Sequence, residues 1–253
     1  MRIIPSLQAL PRRSFLQAAG KFAATAAVLP ATLLAQTTPQ EQHQHYYHVS
    51  TNDGLMREHG ILRRVLLIYD EVARRIDARQ DFPQLTVIDS ADIIRKYIED
   101  YHEKLEDEHI FPLFQNYFRK QEGRSLYAQK LKDLVDVLSE QHQAGRRVTD
   151  RIVSTLKSLK ASDDRRTGER QNLAQDLRAY IRMSAPHVAR EDTVLFPALH
   201  VIVTQQEYVA LGEKFHEIEQ KTFGGDGFDF YLDLITTFEK RLGIYDLTQL
   251  TPK

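Results

Sequence analysis

The chain has 253 residues, 42% hydrophobic and 27% charged, enough for one large domain or two small ones and for a substantial core. It has no cysteine, which excludes disulfides, thiolate catalysis, Cys-ligated zinc and iron–sulfur clusters. The balance of 34 basic against 35 acidic residues leaves no electrostatic footprint for nucleic acid, and only 11 Gly and 9 Pro favour helix over sheet.

Residues 1–35 read as a targeting segment outside the fold. Pro11-Arg12-Arg13-Ser14-Phe15-Leu16, followed by an apolar, Ala-rich run from Phe22 to Leu34, resembles a bacterial twin-arginine export signal. That run is interrupted by Pro30 and is too short to span a membrane. Cleavage is expected after Ala35, although Leu33 fits the small-residue rule poorly. The signal implies a periplasmic protein, a twin-arginine translocase as partner during export, and no membrane attachment after cleavage. Loss of Arg2, Arg12, Arg13 and Lys21 leaves 30 basic against 35 acidic residues. Residues 36–51 are polar and carry His43, His45 and His48. Such a tract binds copper, nickel or zinc weakly, but with no carboxylate at a fixed helical spacing it reads as a solvated linker.

A first helix is expected from an Asn52 or Asp53 cap to about Ala78, with a stripe of Leu55, Leu62, Val65, Leu66, Val72 and Ile76 that also carries His59. After a linker containing Phe82-Pro83, a cap at Asp89 or Ser90 opens a second helix to about Lys120. Its inward face includes Ile94, Ile98, His102, Glu106 and His109, and Pro112 is expected to kink it. Gly123 breaks the chain, and a third helix follows from about Ser125 to Lys160, with His142 inward and Gly145 open to a close neighbour. Residues 161–168 form a charged loop, and a fourth helix covers about Glu169 to His200, bent at Pro186. Two further helical pieces, Gln205–Lys221 and Phe228–Leu242, read as a cover or an oligomer contact.

Histidine and glutamate four residues apart lie on one helix face. The pattern occurs twice, as His102…Glu106 and His187…Glu191, each followed by Phe-Pro nine and ten residues after the histidine. The first and third helices contribute Glu58-His59 and Gln141-His142, with histidine separations of 43 and 45 residues within each helix pair. A buried carboxylate costs several kcal/mol unless a cation compensates it. The domain is therefore expected to be all-α, a helix bundle over 52–203 with additional C-terminal helices over 204–253. Four histidines and two carboxylates converge in it, a mixed N/O set suited to iron or manganese.

The order His59, His102-x3-Glu106, His142, His187-x3-Glu191 resembles the hemerythrin-like HHE cation-binding family over about residues 52–200. The resemblance implies an up-down-up-down four-helix bundle holding two iron ions with an oxo or hydroxo bridge, Glu106 and Glu191 bridging and His59, His102, His142 and His187 terminal. The oxygen-carrying members bear two histidines four apart on the third helix, whereas Leu138 and Arg146 flank His142 here. Either an iron keeps an open or water-filled position, or His109, Glu108 or a tyrosine completes the shell. Tyr69, Tyr97 and Tyr101 either hydrogen-bond a bound ligand or serve as core aromatics. The leading function is binding of O2, NO or peroxide in sensing, scavenging or stress protection. An iron-handling or structural metal protein and a di-iron oxidase or peroxidase are the alternatives.

Overall fold

The computed structural model describes residues 49–122, 124–159 and 167–252, and among them every regular element is helical. The expectations for residues 1–48, for Gly123 and for most of the charged loop lie outside the described residues. Helix α1 (Thr51–Asp77) starts slightly earlier than expected because Ser50 is its cap: the Ser50 hydroxyl accepts the Asp53 N–H. Helix α2 covers residues 84–120, beginning at Gln84 rather than after Asp89 or Ser90. The Ser90 hydroxyl is spent inside the helix on the Thr86 carbonyl at 2.7 Å. Gln84 instead reaches across to the Leu156 and Leu159 carbonyls at the end of α3 (Leu126–Ser158). Helix α4 covers residues 167–202, α5 is Gln205–Phe223 and α6 is Gly227–Leu242.

Two of these helices leave α-helical register at corresponding places. In α2, a π-helical turn spans Glu106–Ile110, and in α4 one spans Glu191–Leu195. Each opens on the glutamate of His-x3-Glu and closes with the Phe N–H on the glutamate carbonyl, Phe111 to Glu106 and Phe196 to Glu191. Proline follows at once in both. The widened turn relieves the clash that its ring would make with the carbonyl four residues earlier. A longer π stretch, Ile94–His102, delivers His102 itself.

Helix α1 lies along α4, α3 along both α4 and α2, and α6 against α1 and α2. Val65, Ile68 and Val72 of α1 meet a fully buried core that includes Ile94, Val135, Ile152, Leu173 and Leu177. Each such side chain contributes about 1.5–3 kcal/mol by leaving water. The C-terminal helices are held by polar links from α1. Arg64 Nε donates to Glu239 at 2.9 Å, and Arg75 donates to the Leu242 carbonyl at 2.6 Å. Glu219, buried beneath Arg57, accepts the Gly227 and Phe228 N–H groups at the start of α6. Among the described residues no helix is long and apolar enough to cross a membrane.

Candidate metal centre

Glu106 and Glu191 are completely buried, as is His59, and His102 and His142 are nearly so. His187 is the most accessible of the six expected residues, at 8%. The structure brings all six together. One ligand atom each from Glu106, His142, His187 and Glu191 lies within 4.8 Å of the others, and so does one each from His59, His102 and Glu106. Glu191 touches His59 at 3.3 Å and His187 at 3.1 Å, while Glu106 touches His102 at 3.7 Å and His142 at 3.4 Å. The rings pair by helix pair: His59 with His102 at 4.7 Å between centroids, His142 with His187 at 5.1 Å. The cage thus has two poles, each lined by two histidines from one helix pair, with a glutamate from each pair between them.

All four imidazoles face the cage through Nε2 and are held from behind through Nδ1. Behind His102 stands Glu58 at 2.7 Å, behind His187 Gln141 at 2.9 Å, behind His59 Asp192 at 2.7 Å and behind His142 Asp107 at 3.1 Å. The pattern is a repeat in space. The residue before the first histidine of each pair holds the second histidine of that pair. The residue after each glutamate holds the first histidine of the other pair. Neighbours on a helix point about 100° apart, so these side chains reach sideways to an adjacent helix. Phe111 stacks on His142 and Phe196 on His59, both at 5.4 Å, which explains the two Phe-Pro echoes.

The cage carries unsatisfied polar atoms. Both oxygens of Glu106 and of Glu191, and Nε2 of His59 and His142, are buried without a hydrogen-bond partner. Buried polar groups left so cost several kcal/mol unless something positive sits among them. Protons do part of that work in the metal-free protein. Burial by itself would lower the His59 pKa, but Asp192 and Glu191 outweigh it and raise it to about 9. His142 is raised likewise by Asp107 and Glu106 against its burial, and the His187 and His59 rings hold Glu191 well below the carboxylate range despite its burial. Six N and O donors, inward nitrogens and orphaned carboxylate oxygens fit a pair of divalent or trivalent cations.

A small cavity, with room for about one water-sized molecule, borders all four histidines. Its other walls include Leu62, Ile98, Glu103, Tyr180, Met183 and Val188. Gly145 has the close neighbours expected of it, since a β-carbon there would lie 3.2 Å from Met183 and 3.6 Å from Tyr180. The expectation that His109 faces inward is corrected. The π turn after Glu106 rotates the following residues, and the His109 ring packs instead on Phe215 of α5 at 6.0 Å, with Lys214 Nζ 3.4 Å away. Glu108 is exposed and pairs with Lys104 at 3.8 Å. Tyr69 meets Tyr180 edge-on, while Tyr97 and Tyr101 pack against Phe223 of α5, and none of the three lines the cavity. The tyrosine that does is Tyr180, two turns before His187, a spacing that would have placed it on the same face. Glu103 is 7% exposed, and burial pushes its carboxyl up to about 8. A glutamate beside His102 in the sequence was the available signal for it.

Fold and site together define a helical protein whose buried histidine and glutamate cluster fits a pair of metal ions. The sequence profile of the Hemerythrin HHE cation binding domain matches residues 50–199, and again residues 133–242. An uncharacterized protein of Mycobacterium tuberculosis and one of Mycobacterium bovis are each 43% identical over 216 residues, covering 85% of this chain and 78% of theirs. The chain belongs to the hemerythrin HHE cation-binding family. No solved structure matches it.

Proposed function

We propose that this is an exported non-haem di-iron protein of the hemerythrin type, which takes up O2, NO or peroxide for sensing, scavenging or stress protection. In this reading α1–α4 are the up-down-up-down bundle and α5 and α6 an extension packed on it. His59 and His102 would hold one ion and His142 and His187 the other, with Glu106 and Glu191 shared between them, and manganese is an alternative to iron. The observation that carries the proposal is the ring of buried, unpartnered donor atoms facing one another across the cage. An iron pair supplies reversible electron transfer and open coordination positions. The chain itself fixes each imidazole with Nε2 inward, stacks Phe111 and Phe196 on the His142 and His59 rings, and leaves beside the histidines a cavity with room for about one water-sized molecule. That size favours a diatomic or peroxide over an organic substrate. Export by the twin-arginine translocase to the periplasm rests on the Arg12-Arg13 segment. Anaerobic ferrous protein titrated with O2 or NO is expected to develop a new visible absorption band. A fully metallated protein with no spectral response leaves the structural or iron-handling role and removes gas binding.

A further inference from the structure

The C-terminal helices bring no ligand to the cage among the described residues, but they complete a run of aromatic rings that begins beside it. One oxygen of Glu58 lies 2.7 Å from His102 Nδ1, and the other accepts the Tyr101 hydroxyl at 3.4 Å. Tyr101 stacks on Tyr97 at 5.6 Å between centroids, and Tyr97 lies 4.4 Å from Tyr231 of α6. Phe223, at the end of α5, makes a second bridge, 5.0 Å from Tyr101 and 5.6 Å from Tyr231. Gly227 leaves room for that ring, since a β-carbon there would collide with it. The run reaches the surface at Phe230, half exposed and 5.1 Å from Tyr231. Packing alone accounts for buried rings at such spacings, but not for the choice of tyrosine. The Tyr97 hydroxyl is buried without a hydrogen-bond partner, a cost that phenylalanine would avoid. What the hydroxyl adds is a ring that gives up an electron more easily. The chain has neither cysteine nor tryptophan, so tyrosine is its readiest one-electron donor. The other tyrosine pair stops inside: Tyr180 borders the cavity and meets Tyr69 at 5.9 Å, and both are buried.

Resting on the di-iron reading, we propose that Tyr101, Tyr97 and Tyr231 are an electron relay between the cage and the surface at α6, used when hydrogen peroxide is the ligand, and that Tyr231 is the residue left oxidised. Peroxide takes up two electrons and two protons to become two water molecules. With one iron ferrous and the other ferric, one electron comes from the ferrous ion and the second from Tyr231. That second electron passes inward across Tyr97 and Phe223 to Tyr101 and its link to His102. Tyr231 releases its phenol proton to water and is left as the neutral radical, and the two protons that peroxide needs come from solvent. With both irons ferrous, both electrons come from the metal and Tyr231 is untouched.

The test is electron paramagnetic resonance with nitrone spin trapping on the full-length, iron-loaded protein, half-reduced and given one equivalent of hydrogen peroxide. A tyrosyl radical is expected, with the trap found on Tyr231 by peptide mass spectrometry. Tyr231→Phe, which keeps the ring, is expected to lose the adduct and the radical signal. Tyr245→Phe, at an exposed tyrosine outside the run, is expected to keep both. Fully reduced protein is expected to give no radical. No radical in the half-reduced protein, an adduct on Tyr180 or Tyr245 in place of Tyr231, an unchanged yield in Y231F, or an equal radical in the fully reduced protein overturns the inference and leaves the di-iron reading standing. Protein that takes up no iron overturns that reading itself.

Discussion

The helix pairs α1–α2 and α3–α4 solve one problem twice, and the differences between them are more informative than the similarities. Each pair presents two histidines, a glutamate that opens a π turn, a carboxylate behind the histidine of the other pair and a phenylalanine stacked on that same ring. What repeats is what any buried cation pair needs: inward donors, fixed ring orientation and a dry wall. What differs is Glu58 against Gln141 and Glu103 against Val188, so the two poles of the cage are not chemically equivalent. The C-terminal pair α5–α6 matches part of the same family profile but brings no ligands to the cage among the described residues.

The comparison can be broken hardest at the shared carboxylates. Each of Glu106 and Glu191 touches a histidine at both poles, so on the proposed di-metal reading replacing either with Ala is expected to abolish metal retention in metal analysis of the purified protein. Single-pole variants such as His59→Ala are expected to lose mainly one ion. Phe196→Ala and Phe111→Ala should each destabilise the fold by about 3–5 kcal/mol in urea unfolding, because both rings are buried and stacked alike. Strongly unequal losses would show that the two walls are not equivalent.

Finer differences test the groups behind the histidines. Glu58→Gln is expected to weaken one metal-binding step by about 10–100-fold in competition with a chelator, leaving the other step in place. Asp192→Asn should cost more affinity than Asp107→Asn, since the Asp192 side chain is 9% exposed against 39% for Asp107. The smallest effect is on pH. The His59 pKa is raised from 6.5 to about 9 in the metal-free protein, so its contribution to stability is complete below pH 6.5 and is lost as pH rises through about 9. Thermal melts of chelator-stripped protein should therefore fall in temperature across that window, and a His59→Gln variant should lose the slope.

Much of this was legible in the chain. Period-3.6 stripes located the helices, the two His-x3-Glu-x4-Phe-Pro runs revealed the repeat and four of the cage residues, and the matching separations of His59 and His142 from those runs supplied the other two. The missing parts depend on relations between helices. Gln84 starts α2 early because it reaches the end of α3, a partner distant in sequence. The π turns at Glu106 and Glu191 leave no periodic trace, and so a 3.6-residue period places His109 on the wrong face. Glu58, Asp107, Gln141 and Asp192 lie off the inward stripe by one residue, and their roles emerge only once neighbouring helices stand beside them.

The most direct check is to purify the protein without added metal, count its transition-metal ions, and compare its melting temperature before and after chelation. A cage built around two cations predicts about two ions per chain, a lower melting temperature when they are stripped, and recovery on adding ferrous ion. A native protein with no transition metal and an unchanged melting temperature would contradict it.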